Sequence, residues 1–246
     1  MRNFFSFHKF RNLFSFIILI LFVGTPVHSQ SFKLYGVSDL VRVFEDGYKL
    51  PALKDTVKIF GIRGEVISGQ FVISAKKDLA DISVSAGEFL EKDRKTILPA
   101  SAVQCNFVGS IPVEKNTPNQ PASVIVRQAP ARFPEYLMTD GRTSIKKRMW
   151  QPVWLTIDIP ADAIAGKYTG NITVRSEQES QSLPVSITVY PISIPEKRHL
   201  KVVEWMSTGG FERFYGIKEK YSPSWYEMLG VYAANMAAHR QNVFQV

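Results

Sequence analysis

Few side chains in this sequence combine a reactive type with a useful spacing. Beyond residue 29 the only histidines are His199 and His239, far apart along the chain. Cys105 is the single cysteine. It can close no internal disulfide and join no thiolate cluster for zinc or iron–sulfur. No phosphate-cradling glycine loop and no nucleotide fingerprint occurs. No metal and no cofactor is expected. The carboxylate that stands out is Glu204, in the strand-like run Leu200–Met206. Alternation there puts Val202, Glu204 and Met206 on one face and Val203 and Trp205 on the other. If that run opens a β/α barrel, Glu204 lies toward its carboxyl end, where such barrels build sites. Its two readings are a ligand-binding carboxylate and an acid paired with a base in a polar barrel layer.

Other candidates have plainer explanations. Trp205 could stack on a planar ligand, but its parity predicts packing under helices. Trp154 falls on the outward face of its strand, either as a contact for a ligand or as packing for a loop. His239 and Arg240 fall at a helix end that enters a strand. Cations suit a helix C-terminus, and that face of a barrel serves stability. Gly209-Gly210 follows the first barrel strand on the side of the site, but two glycines specify little. Lys146-Lys147-Arg148 is the one dense basic run. It reads as a solvated loop and not a nucleic-acid surface, lacking interleaved aromatics. Asn171-Ile172-Thr173 is a glycosylation sequon, but it falls in mid-strand.

The elements that must position these residues are mostly strands. Gln151 to Val174 is a hairpin of period two. Val153, Leu155, Ile157 and Ile159 face one way, and Trp154, Thr156 and Asp158 the other. On the return, Tyr168, Ile172 and Val174 face in, and Thr169, Asn171 and Thr173 face out. Such alternation marks a sheet buried on one side. Val57–Phe60, Glu65–Ala75, Asp81–Ala86, Ala122–Gln128 and Leu183–Tyr190 also read as strands. Turn residues separate them, and no long helix intervenes. The pattern predicts a mainly β fold, a two-sheet sandwich over residues 30–197. Gly109 to Met149, rich in proline, reads as long loops around one strand.

The chain opens differently. Arg2, Lys9 and Arg11 precede an apolar core from Phe14 to Val23, and small residues follow. Residues 1–29 read as a signal peptide cut before Gln30, with an apolar run too short to span a bilayer; an uncleaved membrane anchor is the alternative. The protein is therefore expected to be exported, periplasmic or secreted, without stable membrane insertion once the signal is cut. Removing those three cations leaves 27 Lys and Arg against 22 Asp and Glu, a mild excess. No nucleic-acid partner is expected, and the sequence leaves the oligomeric state open.

After the stiff Pro191–Pro195 connector the character changes. Leu200–Met206 reads as a strand and Ser222-Pro223 as a helix start. Trp225, Met228, Leu229, Tyr232, Ala233 and Met236 then line one helical face, and Val243–Val246 begins another strand. Strand, helix and strand make a β-α-β unit, which cannot bury both faces of a parallel pair alone. Residues 198–246 are read as the incomplete start of a (β/α)8 catalytic domain, cut short.

Three segments carry a family resemblance. Arg63-Gly64-Glu65 through Gln70 is one. Gln151-Pro152-Val153-Trp154, with Ile159-Pro160-Ala161-Asp162-Ala163 and Gly166-Lys167-Tyr168-Thr169-Gly170, is the most specific. Met236 to Val243 is the third. Together they resemble glycoside hydrolase family 123, over most of residues 33–246. The resemblance implies a retaining, exo-acting hydrolase of terminal β-linked N-acetylgalactosamine, with a glycan or glycoconjugate as substrate. It also implies that the substrate's acetamide acts as nucleophile, aided by an adjacent Asp-Glu pair on a later barrel strand. This sequence contains no Asp-Glu pair, so its catalytic residues are unassigned and activity of this fragment alone is not expected. Glu204 becomes the candidate substrate-binding residue, accepting a sugar hydroxyl. A non-catalytic carbohydrate-binding or adhesion sandwich is the alternative from another class. A barrel glycosidase of a different family sharing the sandwich is a third.

Overall fold

A computed structural model describes residues 30–93, 96–177, 179–197 and 199–245. The signal-like segment lies outside them. The first twelve strands are β1 (Phe32–Val37), β2 (Val57–Arg63), β3 (Val66–Ala75), β4 (Leu79–Ala86), β5 (Phe89–Glu91) and β6 (Ile97–Leu98), then β7 (Val103–Val113), β8 (Ala131–Leu137), β9 (Arg142–Ile145), β10 (Trp150–Asp158), β11 (Gly166–Arg175) and β12 (Ser180–Ser193). They form two sheets. One runs β1-β3-β10-β7-β8, and the other β2-β12-β11-β4-β9, with β5 and β6 attached to β11. Pairing is antiparallel except between β2 and β12, which run parallel.

Alternation explains the sandwich. Phe71 and Ile73 of β3 and Val153, Leu155 and Ile157 of β10 point from the first sheet into one core. Tyr168, Ile172, Val185 and Ile187 meet them from the second. The inward and outward residues of the β10–β11 hairpin are those the period-two pattern predicts. Each fully buried aliphatic or aromatic side chain of this kind contributes about 1.5–3 kcal/mol.

The outer face of the five-stranded sheet is partly covered. The segment between β1 and β2 folds back over it and buries Val43 with Val37 and Val72. Arg127 holds this segment from the far side. It pairs with Asp46, and its guanidinium lies 4.8 Å from the Phe44 ring and 4.6 Å from the Tyr48 ring.

Two expectations change here. Ala122–Gln128 is not a strand. Residues Ala122–Val124 make a short 3-10 turn after Pro121. The Asn116 side chain then takes the place of a neighbouring strand, donating to the Arg127 carbonyl at 3.2 Å and accepting from the Ala129 N–H at 2.8 Å. Gly109–Met149, in turn, is not loops around one strand. It holds the end of β7 and all of β8 and β9. β8 carries Pro134 at its middle and β9 is short, and both lie at sheet edges, where a missing donor is tolerated.

The C-terminal part contains β13 (Val203–Trp205), α1 (Gly209–Tyr215), α2 (Pro223–Ala238) and β14 (Val243–Gln245). β13 and β14 pair in parallel, so strand, helices and strand form a right-sized crossover unit. The Ser222 hydroxyl caps α2 by accepting from the Trp225 N–H at 3.3 Å, with Pro223 in the first turn. The helix face expected from spacing is the half-buried one, with Trp225 buried. Phe211 of α1 packs on Trp225 and Tyr232, at ring distances of 5.9 and 5.4 Å. Gly209-Gly210, which follows the first of these strands, is the start of α1. Trp205 does not pack under the helices: it is 85% exposed. Short β13 offers only three paired residues, while α1 occupies the helix face that Trp205 would have met.

Candidate functional site

A concavity lies on the outer face of the five-stranded sheet. It is an open cleft of about 610 Å³ between the 39–43 segment and β8, with Trp154 and Gln70 among its lining residues. Register places Trp154 directly beside Gln70 of β3 and Asn106 of β7. Gln70 is almost fully buried, and its amide fixes the wall: Nε2 donates to the Ser38 carbonyl at 2.8 Å and the Val41 carbonyl at 3.0 Å. Asn106 donates to the Met138 carbonyl at 3.0 Å, and its buried Oδ1 has no partner. Asp39, Arg42 and Glu135 line the cleft too. A second cleft of about 380 Å³ shares Arg42 and Glu135 with the first. Trp154 thus lies on the outward face, as alternation predicts, and opens into a cleft. Asp39, Arg42 and Glu135 carried no sequence signal, because loop and edge-strand positions have no period to betray them.

The other candidates resolve one by one. Glu204 sits in β13, its backbone in register with Phe244, while its side chain lies outside the described residues. The His239 ring bonds the Asn235 carbonyl at 2.8 Å, closing α2. Arg240 reaches the Pro195 carbonyl at 3.3 Å. Neither residue faces the cleft. Lys146-Lys147-Arg148 forms the exposed turn before β10, held by the Lys147 N–H on Asp78 at 2.7 Å. Asn171 is exposed in mid-strand. Burial pushes the Cys105 thiol up to about 11, and its sulfur packs against the core. Among the described residues no cluster of three or more His, Cys, Asp or Glu could hold a metal.

Two of the segments that carry the resemblance, the Arg63–Gln70 run and the hairpin, meet in space through backbone hydrogen bonds. Gly64 is left-handed, with φ of 75°, which favours glycine. Its N–H bonds the Ile159 carbonyl at 2.9 Å, and the Ile159 N–H returns to the Glu65 carbonyl at 2.9 Å. The Glu65 carboxylate accepts from the Ile62 N–H at 2.8 Å. The Ile194 N–H bonds the Arg63 carbonyl at 2.9 Å. One corner of the sandwich therefore joins the β2–β3 turn, the end of β10 and the connector after β12. In the hairpin, the Tyr168 hydroxyl donates to the Ile164 carbonyl at 2.7 Å. A Cβ on Gly170 would lie 2.6 Å from the Glu88 carbonyl oxygen.

The comparisons agree with this architecture. The Glycoside hydrolase 123 N-terminal domain family matches residues 45–176, more than half of the chain. The chain belongs to that family. Among solved structures, a family 123 glycoside hydrolase from Clostridium perfringens, studied for glycolipid glycan hydrolysis, aligns with a TM-score of 0.67 at 16% identity. The alignment covers 80% of this chain and 35% of that one, so the likeness is one of fold over about a third of that enzyme. A PapD-like domain of human CEP192 aligns at 9% identity with a TM-score of 0.36, covering 69% of this chain and 94% of that one. The fimbrial subunit MyfA from Yersinia enterocolitica aligns at 10% identity with a TM-score of 0.32, covering 65% and 98%. No curated protein sequence matches the chain.

Proposed function

We propose that this chain is the sandwich-bearing part of an exported exo-β-N-acetylgalactosaminidase that works with retention through the substrate's own acetamide. Family membership over residues 45–176 carries the reading. The parallel β13–β14 pair joined by helices supports a barrel of that kind following the sandwich. In the reaction, the acetamide oxygen attacks the anomeric carbon as the aglycone leaves with a proton from a general acid. Water then opens the oxazoline-type intermediate, restoring the acetamide and giving a retained hemiacetal. Those steps need one proton donor and one group that orients the amide, the roles of an Asp-Glu pair this chain lacks. Residues 30–197 would be the sandwich domain and 198–246 the opening of the barrel. Glu204 would then accept a hydroxyl of the bound sugar near the carboxyl end of the first barrel strand. Export rests on the basic and apolar pattern of residues 1–29. Among the described residues no helix is long and apolar enough to cross a membrane.

The test is an assay on a chromogenic β-N-acetylgalactosaminide. The polypeptide translated from the whole reading frame should turn it over, and the 246-residue chain should not exceed a heat-inactivated control. A whole polypeptide inert on this substrate would sink the specificity, and turnover by the short chain would sink the role given to missing residues. In an active polypeptide, Glu204→Gln should lower kcat/KM by roughly one to two decades, for a charge-assisted bond of about 1.5–3 kcal/mol. Lost thermal stability with normal kinetics would instead mark Glu204 as structural.

A further inference from the structure

We propose that the Trp154 cleft is a glycan-binding subsite, specific for an uncharged sugar unit. Three independent features support it. The first is chemical composition. An indole offers a flat apolar face for the C–H side of a pyranose ring, and carboxylates and a guanidinium suit its hydroxyls. Asp39, Arg42, Glu135 and Trp154 supply that set around one cavity.

The second is that the charged groups are available. Three ion pairs on this sandwich commit six charged groups: Arg127 pairs with Asp46, Arg132 with Glu45 and Arg142 with Asp81. Among the described residues, Asp39, Arg42 and Glu135 have no hydrogen-bond or ion-pair partner. Two acids and one base leave no cationic surplus for a sulfated or sialylated unit, so the fitting ligand is neutral.

The third is preorganisation. The 38–43 wall is fixed from beneath by the buried Gln70 amide and by Val43, 1% exposed in the cluster under it. A wall already ordered in the free protein loses little entropy on binding. The volume of about 610 Å³ is within the range of small-molecule sites, room for one or two sugar rings. The junction with the second cleft at Arg42 and Glu135 gives a longer glycan a path onward.

This subsite rests on the family only for the choice of a carbohydrate ligand. It does not depend on which linkage is hydrolysed, and the test reads binding, not turnover. The 246-residue chain, freed of residues 1–29, is screened on an array of neutral, sialylated and sulfated oligosaccharides, and hits are titrated by calorimetry. Neutral glycans should bind and charged analogues should not. Trp154→Ala should weaken binding about tenfold or more. Since Trp154 also packs on its sheet, Asp39→Asn and Arg42→Ala provide a second arm: both side chains lack partners, so melting should not change while binding weakens. No binding to any neutral glycan would overturn the proposal, as would affinity that survives all three substitutions or a preference for charged glycans. None of these results would alter the hydrolysis test above.

Discussion

At the scale of single residues, the family signature is explained by packing before chemistry. Gly170 cannot carry a side chain, because β5 crosses it and a Cβ would also meet the Phe89 ring at 2.7 Å. Gly170→Ala should cost about 1–3 kcal/mol, as overpacking does, visible as a lower urea midpoint with unchanged slope. An unaltered midpoint would mean that β5 yields more easily than its contacts imply. Tyr168 adds a titratable version of the same argument. Burial, then the charge of Glu91, raises its phenol above the ordinary value of 10.0. A raised folded value means stability is full below pH 10 and is lost as pH climbs through the folded value. Tyr168→Phe should remove that alkaline loss, while giving up the bond to Ile164, about 0.5–1.5 kcal/mol at neutral pH. Cys105 gives a simple check on the core. With its thiol held at about 11 by burial, it should resist iodoacetamide at pH 8 until the protein is denatured. Rapid labelling of the folded protein would place it outside the core.

At the scale of elements, Glu179 joins the start of the chain to its longest strand. Its carboxylate accepts from the Ser31 N–H at 2.9 Å and from Gln181 Nε2 at 2.6 Å. Gln181 also donates to the Phe32 carbonyl at 2.6 Å. Burial alone would raise the Glu179 carboxyl, but these bonds outweigh it and hold it below its ordinary 4.5. A lowered folded value means the contribution is present above that ordinary value and lost as pH falls through the folded one. Glu179→Gln should therefore lower stability at pH 7 and flatten the acid side of the profile. A parallel acid limb in both proteins would show that other carboxylates control it, with Asp46, also lowered by its bond to Arg127, the next to try.

What the sequence made legible follows the same division. The β10–β11 hairpin, β12 and α2 announced themselves, because each has one face wet and one dry over eight or more residues. β8 and β9 did not, since edge strands need no full alternation and β8 accepts a proline. α1 was hidden behind Gly209-Gly210, and its aromatic contacts with α2 lie on the face that spacing identified as apolar. Of the cleft, only Trp154 and Gln70 lay in readable strands. Their neighbours Asp39, Arg42 and Glu135 come together through tertiary folding, which no local period records.

At the scale of the whole molecule, the connector between β12 and β13 should be the weak point. Its described hydrogen bonds to the sandwich are few, the Ile194 N–H on Arg63 among them, while the Arg240 guanidinium on Pro195 and the Asn242 side chain on Leu200 and Val202 tie it to the C-terminal part. Limited proteolysis should cut near Pro191–Lys201 and leave a folded sandwich. A resistant product extending through α2 would show the two parts to be one cooperative unit.

The parallel pairing of β2 with β12 sets the order in which this protein can come into being. Val57 finds its partner only at Val185, and Ile62 only at Tyr190. A nascent chain therefore holds β2 without its neighbour until nearly the entire sandwich has been synthesised. Contacts of such long sequence separation place folding among the slow β topologies, milliseconds to seconds. Should the chain be exported as proposed, threaded through a translocon as an extended polymer, that delay would be useful: closure would wait until the far strand has crossed as well.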